Sequence, residues 1–459
     1  MFTKETYTQR RSRLANDLGS GLIVLLGNKD LGMNYAANTY PFRQDSTFLY
    51  FFGLDKPGLA AIIDVDQNKT TLFGHDPGID DIVWEGPIPG IKELAASCGV
   101  EYTAAPESLS TTILKARQSG QTIHHLPPYR FENQIMLAEM LDMPVRAVKE
   151  RASETLIRAV MAQRSIKSAA EIVEMTEAVN ITRAMHIAVM QGAKVGVKEA
   201  ELAGLAQQIA YAQGKGLAYP VILSKDGQTL HNHYHGNTLQ EGQLVLGDFG
   251  AQNSMYYAGD ITRTCPVSSS FTSLQKDIYS IVLKAEEDSI RACKAGVKYK
   301  DVHIMAATII TEGLQQIGLM KGDSAAAVEQ GAHALFFPHG LGHHIGLDVH
   351  DMEDLGEDLL GYDENTKRSN QFGTRYLRLG KELEAGNVIT VEPGIYFIPE
   401  LIDQWRSEGK FNDFINYERL DALKSFGGIR IEDNILIRAE DSVILGDPIP
   451  KQIADIETL

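Results

Sequence analysis

"FFPHGLGHHIGLDVHD", residues 336–351, sets His339, His343, His344 and His350 beside Asp348 and Asp351. Such a density of imidazoles points to a metal, yet no HExxH pair is present and no cysteine pair lies nearby to complete a zinc site. The remaining ligands must come from elsewhere, and the donors that stand out are acids. Asp248 in "LVLGDFGA", Asp260 in "YYAGDITRT", Glu392 in "VITVEPG" and Glu432 in "GIRIEDN" each interrupt an apolar, strand-like run. An unpaired carboxylate in such a place is expensive. An arginine could satisfy one of them; four in separate strands need a shared explanation, and cations supply it. Asp248 and Asp260 are separated by a short connection, which predicts a hairpin with both side chains on one face.

The whole chain sets the frame for this cluster. At 459 residues, two or three domains are expected. A hydrophobic fraction of 44% and a charged fraction of 22% are those of a folded globular protein. The formal charge of −17, with no basic stripe to offset it, argues against nucleic acid as a partner. Three scattered cysteines, Cys98, Cys265 and Cys293, fit buried thiols in a reducing compartment rather than a disulfide framework. The start of the chain is too charged for a signal sequence, and no stretch approaches the roughly 20 apolar residues of a membrane span. The expectation is a cytoplasmic protein with no membrane contact.

Apolar runs at 21–27, 60–66 and 71–76 read as strands, and helical patterns lie near 4–18, 91–98 and 107–118. They predict an α/β domain over 1–150. An amphipathic helix, "SETLIRAVMAQRSI", predicts a linker over 151–167, and the remainder, 168–459, forms a second domain. Ser168 followed by Glu171 is a capping-box signature for a helix running from about Ile172 to Met190. Further helices are expected over 198–216, 272–295 and 298–317, with short strands after Pro220 and alternating strands in "NVITVEPGIYFI" and "GGIRIEDNILI". The polar segments 351–384 and 399–427 show no clear periodicity. The architecture expected is α+β with a smaller α/β domain in front.

Four carboxylates and one neutral imidazole from the opening stretch carry four negative charges, which two divalent ions balance. Oxygen-rich ligation with a single histidine suits Mn2+, with Co2+ or Zn2+ as alternatives. Two such ions together can activate water and polarise a carbonyl, the requirement of metal-assisted hydrolysis.

"LVLGDFGA", "AGDITRT", "HGLGHHIGLDVHD", "TVEPGIY" and "GIRIEDN", in that order, resemble the five metal-binding motifs of the pita-bread metallopeptidases. "YPFRQDSTFLYFFGLDKPGLAAIID" and "DDIVWEGPIPG" narrow the resemblance to aminopeptidase P and prolidase, whose N-terminal domain methionine aminopeptidases lack. The resemblance implies a C-terminal pita-bread catalytic domain with Asp248, Asp260, His343, Glu392 and Glu432 as ligands of two ions, Asp260 and Glu432 bridging. It implies that His339 and His350 lie on the substrate side. It also implies a further substrate-side histidine upstream of Asp248; spacing favours His231, and the local "HY..N" pattern favours His233. His344, next to a ligand in an extended segment, should face the other way. Arg430, two residues before Glu432, is expected either to orient carboxylates or contact substrate, or to form a structural ion pair. Two departures stand out. The Asp248–Asp260 connection is about one residue longer than usual, and 351–384 and 399–427 are longer than in compact members.

The function implied is removal of the N-terminal residue from peptides with proline second, Glu392 serving as ligand and proton shuttle. An Xaa-Pro dipeptidase is the alternative, and an inactive peptide-binding relative is a remote one, since all five ligands are present. Relatives suggest a homodimer or tetramer.

Overall fold

The computed structural model describes residues 1–267 and 270–459. It divides into two units, Met1–Arg164 and Ser165–Leu459. In the first, β1 (Leu22–Leu26), β2 (Ala60–Asp64), β3 (Lys69–Phe73), β4 (Tyr102–Ala104) and β5 (Ile123–His125) form one sheet of order β4-β3-β2-β1-β5. β1 runs antiparallel to β2, with Val24 opposite Ile62, and parallel to β5. Both faces of β1 are buried, which is why its sequence is a continuous apolar run rather than an alternating one. Leu22, Val24, Ile62 and Phe73 pack against Leu109, Ile113, Leu137 and Leu141 of the helices Ser108–Gln118 and Phe131–Leu141.

One helix of this unit carries no signal in the pattern, and another lies in this unit rather than in the linker expected. Ser46–Phe52 buries all seven of its residues, so no polar stripe marks its period. Its start is set by Asp45, whose carboxylate accepts from Phe48 N at 2.8 Å. The helix Glu154–Arg164 falls inside the first unit and packs on Lys4–Leu18, so the segment read as a linker belongs to that unit as far as Arg164.

The second unit opens on the helix Ala169–Gly192, whose capping box is formed as the sequence expects. Ser168 Oγ accepts from Glu171 N at 3.4 Å, and Glu171 Oε2 accepts from Ser168 N at 3.0 Å. After the helix Glu199–Gln213 come β6 (Gly216–Leu217), β7 (Ile222–Ser224), β8 (Leu244–Phe249), β9 (Ala251–Gln252) and β10 (Ile261–Pro266). β8 pairs antiparallel with β10, Asp248 opposite Thr262, which is the hairpin the two aspartates predicted. Its crossing is so close that a Cβ on Gly250 would lie 1.7 Å from the Gly259 carbonyl oxygen.

Helices Ser273–Ala292 and Tyr299–Gln316 separate this sheet from β11 (Val388–Val391), β12 (Gly394–Tyr396), β13 (Gly428–Arg430), β14 (Asp433–Ile437) and β15 (Ser442–Ile444). β11 pairs with β14 and β12 with β13, so Glu392 and Glu432 each leave the end of a paired strand. The histidine-rich stretch runs beside β11, His344 bridging to Ile389. Gly342 makes this approach possible, because a Cβ there would meet the Thr390 carbonyl oxygen at 2.1 Å. The segment 399–427 holds a helix the sequence did not announce, Pro399–Ser407; it buries only Ile402 and Trp405, too few positions to show a period. No helix of the described residues is long and apolar enough to cross a membrane.

Candidate metal and substrate site

A cavity of about 580 Å³ opens at the ends of these strands. Asp248, Asp260, His343, Glu392 and Glu432 all line it, together with His231, His233, His339, His350 and Arg430. Atoms of Asp260, His343 and Glu432 able to bind a metal lie within 4.8 Å of one another. Glu392 Oε1 stands 3.6 Å from His343 Nε2, and Asp260 Oδ2 stands 3.4 Å from it. Asp248 is drawn into the group through Tyr219, whose single hydroxyl hydrogen is shared between Asp248 Oδ1, at 2.6 Å, and Asp260 Oδ1.

The donor set fits a divalent cation. His343 Nδ1 lies 3.0 Å from the His344 carbonyl oxygen, so that nitrogen carries a hydrogen and Nε2 is the one turned to the acids, where a cation would displace its proton. The permanent cation that pairs with these four carboxylates, through Asp248, is the Arg430 guanidinium. Burial pushes the Glu392 carboxyl up to about 7, and the charges of Asp260 and Asp248 add to the rise against His343 and Arg430. Glu432 is driven well above the usual carboxylate range by burial and then by Asp260, Glu392 and Asp248. Burial alone would depress His343, but its hydrogen bond to Asp260 and the charges of Glu392 and Asp260 outweigh it and push the imidazole up to about 9. The chain thus collects protons where a metal ion would supply the positive charge.

Arg430 is buried, and its donors go to protein. Nη2 donates to Asp248 Oδ2, Nε to Thr262 Oγ1 at 3.0 Å, and Nη1 to Tyr396 Oη at 2.8 Å. The Tyr396 hydroxyl then meets His339 Nε2 at 2.8 Å, while His339 Nδ1 lies 2.8 Å from the Gly340 carbonyl. Only one assignment satisfies both ends: Nδ1–H donates to Gly340, and Nε2 accepts from Tyr396. Burial and the Arg430 charge push His339 down to about 3, so it is neutral. Arg430 therefore orients Asp248 and, through Tyr396, His339.

His350 stacks edge-on to His343, ring centroids 4.3 Å apart, and its Nδ1 lies 3.2 Å from Glu353 Oε2. His231 faces the charged groups: partial burial lowers its pKa, Asp248 pulls it up, and Arg430, His350 and Arg378 push it down. His233 lines the same cavity, with Nδ1 3.4 Å from the Val221 carbonyl oxygen. His344 is buried behind, neither ring nitrogen hydrogen-bonded, as alternation along the stretch expects.

Sequence reasoning missed Tyr219, Tyr396, Glu353 and Arg378. The two tyrosines sit in "LAYPVIL" and "EPGIYFI", polar tips in apolar strands, and the test that found the acids would have found them. Arg378, Phe372 and Tyr376 come from 351–384, and Leu401 from 399–427, so both long inserts reach the cavity wall.

Comparison with known proteins agrees with this geometry. Residues 173–439 match metallopeptidase family M24, and residues 7–124 match the aminopeptidase P N-terminal domain. A probable Xaa-Pro aminopeptidase of Fusarium vanettenii is 33% identical over 91% of this chain and 87% of its own. The human Xaa-Pro dipeptidase is 31% identical over 95% of this chain and 88% of its own. Among solved structures, proline aminopeptidase P II of Yersinia pestis superposes with a TM-score of 0.82 at 27% identity, covering 100% of this chain and 99% of that one. Fold and cavity together define a metallo-exopeptidase with a pita-bread catalytic domain. The chain belongs to metallopeptidase family M24, in its aminopeptidase P and prolidase branch.

Proposed function

We propose that this enzyme hydrolyses the Xaa-Pro bond at the N-terminus of peptides, releasing the first residue. Asp248, Asp260, His343, Glu392 and Glu432 would hold two divalent cations, Mn2+ first and Co2+ or Zn2+ as alternatives. The observation that carries the reading is the convergence of Asp260, Glu392 and Glu432 on His343, with Asp248 joined to Asp260 through Tyr219. Bound ions would supply Lewis acidity and a water nucleophilic at neutral pH. Glu392, which lines the cavity beside His343, would take the proton of the attacking water and deliver it to the departing proline nitrogen. His350 and one of His231 and His233 would hold the carbonyl oxygen as charge develops on it. The test is hydrolysis of Xaa-Pro-Yaa peptides by chelator-treated protein with and without added Mn2+. Activity indifferent to every divalent ion overturns the reading.

One observation favours a second reading, an Xaa-Pro dipeptidase. The Arg378 guanidinium lines the cavity, held by Glu353 at 2.6 Å and Glu357 at 2.9 Å. A guanidinium in that wall suits the free carboxylate of a dipeptide. Gly-Pro cleaved in preference to Gly-Pro-Yaa, with the preference reversed in Arg378→Ala, would establish it.

A homodimer is supported by the helix Ile79–Glu85, which buries none of its residues and leaves Ile79, Val83 and Trp84 exposed at 74%, 69% and 86%. Light scattering of wild-type and Trp84→Glu protein tests this, the variant shifting toward monomer. The three cysteines are free and buried, which supports a reducing, cytoplasmic setting.

A further inference from the structure

Residues 225–237 form an irregular loop between β7 and β8, and this loop carries both His231 and His233. Local bonds shape parts of it, such as Thr229 N to Asp226 O and Tyr234 N to Asn232 Oδ1, both at 3.0 Å. Its two ends are tied directly, and its middle through Ser224, to one carboxylate outside the cavity. Glu199, in the first turn of the helix Glu199–Gln213, is fully buried. Its Oε1 accepts from Ser224 Oγ at 3.0 Å and Lys225 N at 2.8 Å, at the loop's entrance. Its Oε2 accepts from Asn237 Nδ2 at 3.0 Å and Asn237 N at 3.3 Å, at the exit. The otherwise unpaired first-turn N–H groups of the same helix reinforce the exit: Glu199 N donates to Asn237 O and Ala200 N to His235 O, both at 3.0 Å. Ser224 Oγ, fixed by Glu199, also accepts from Asn232 Nδ2 at 3.1 Å. Asn232 stands between the two histidines.

A buried carboxylate whose hydrogen bonds come from neutral donors is expensive unless each oxygen is satisfied. Here each oxygen serves one end of the loop, and the helix N-terminus offsets the charge. We propose that Glu199 is a positioning residue: with Ser224 and Asn232 it closes the stem of the 225–237 loop and sets where His231 and His233 stand over the cavity. The proposal rests on the Xaa-Pro hydrolase reading for its catalytic consequence, but not for the clamp itself.

Glu199→Gln keeps the shape and turns one oxygen into an N–H donor facing other donors, which releases one end of the loop. The expected result is a fall in kcat/KM on Xaa-Pro-Yaa peptides of about 10–100-fold, the range of losing an outer-sphere partner, with bound metal unchanged. In the background of the double variant His231→Ala/His233→Ala, Glu199→Gln should cost less than about twofold further, because it acts through those side chains. Amide hydrogen exchange should rise in 225–237 and not across the rest of the second unit. Asn232→Ala severs the middle tie without touching the buried acid and should reproduce the effect if Glu199→Gln folds poorly. Equal losses in both backgrounds, or unchanged exchange in the loop, overturn the proposal. Wild-type protein inactive on every Xaa-Pro peptide overturns the catalytic reading instead, and loop exchange still decides the clamp.

Discussion

At the scale of single residues, the site depends on which atom of each side chain is already engaged. His343 holds its Nδ1 against a carbonyl and turns Nε2 to the acids, so in the proposed site His343→Ala would remove a ligand and not a core imidazole. Metal affinity of that variant, measured by titration calorimetry, should fall by more than the roughly 10–100-fold typical of losing an outer-sphere partner. A second buried cluster behind β14 makes a pH prediction. Glu286 is pushed up to about 8 by burial and by Asp433, against the pull of Lys451 at 2.7 Å. An unfolded glutamate titrates near about 4.3, so between these values the folded chain keeps a proton the unfolded chain has lost. The stability from that proton is complete below the unfolded value and drains away as pH rises through the folded one. Glu286→Gln is neutral throughout and can still bridge Asp433 and Lys451. Melting temperature followed from about pH 5 to pH 8.5 should therefore fall less steeply in Glu286→Gln than in wild type.

At the scale of elements, a few close approaches and caps position the ligands. The histidine-rich stretch reaches β11 only because residue 342 has no side chain. Gly342→Ala must push the stretch from Thr390, and with it His343, whose N donates to Thr390 Oγ1 at 3.0 Å. The expected outcome is weaker metal binding with β11 and β14 still paired, read by metal analysis beside circular dichroism. The capping box of Ala169–Gly192 makes a purely structural contrast. Ser168→Ala should cost about 1 kcal/mol in urea unfolding and leave metal affinity unchanged.

For the molecule as a whole, the acids gathered at the proposed cation site make the metal-free chain carry repulsion that bound ions would neutralise. Chelation should lower the melting temperature, and Mn2+ at about 100 times its dissociation constant should restore about 2.7 kcal/mol per site. Scanning calorimetry in a manganese titration checks this, and a midpoint indifferent to the ion contradicts the site. The exposed apolar helix and the long inserts also belong to this scale, since each presents surface that no local pattern explains.

Much of this was written in the chain because burial penalises charge. Asp248, Asp260, Glu392 and Glu432 stood out in apolar runs, and the runs themselves marked the strands that carry them. Capping chemistry at Ser168 and Glu171 is local, so the helix start was legible as well. Ser46–Phe52 was not, because a helix buried on every side has no polar face to reveal its period. Nor was the loop at 225–237, whose shape is fixed by Glu199 from a separate helix. The bond between Tyr396 and His339, the turn of Arg430 toward Asp248, and the arrival of Arg378 in the cavity all join residues far apart in the chain. Sequence determined which acids needed a partner, since that cost is paid residue by residue; tertiary structure alone decided how each was aimed, since a hydrogen bond needs two partners brought within about 3 Å.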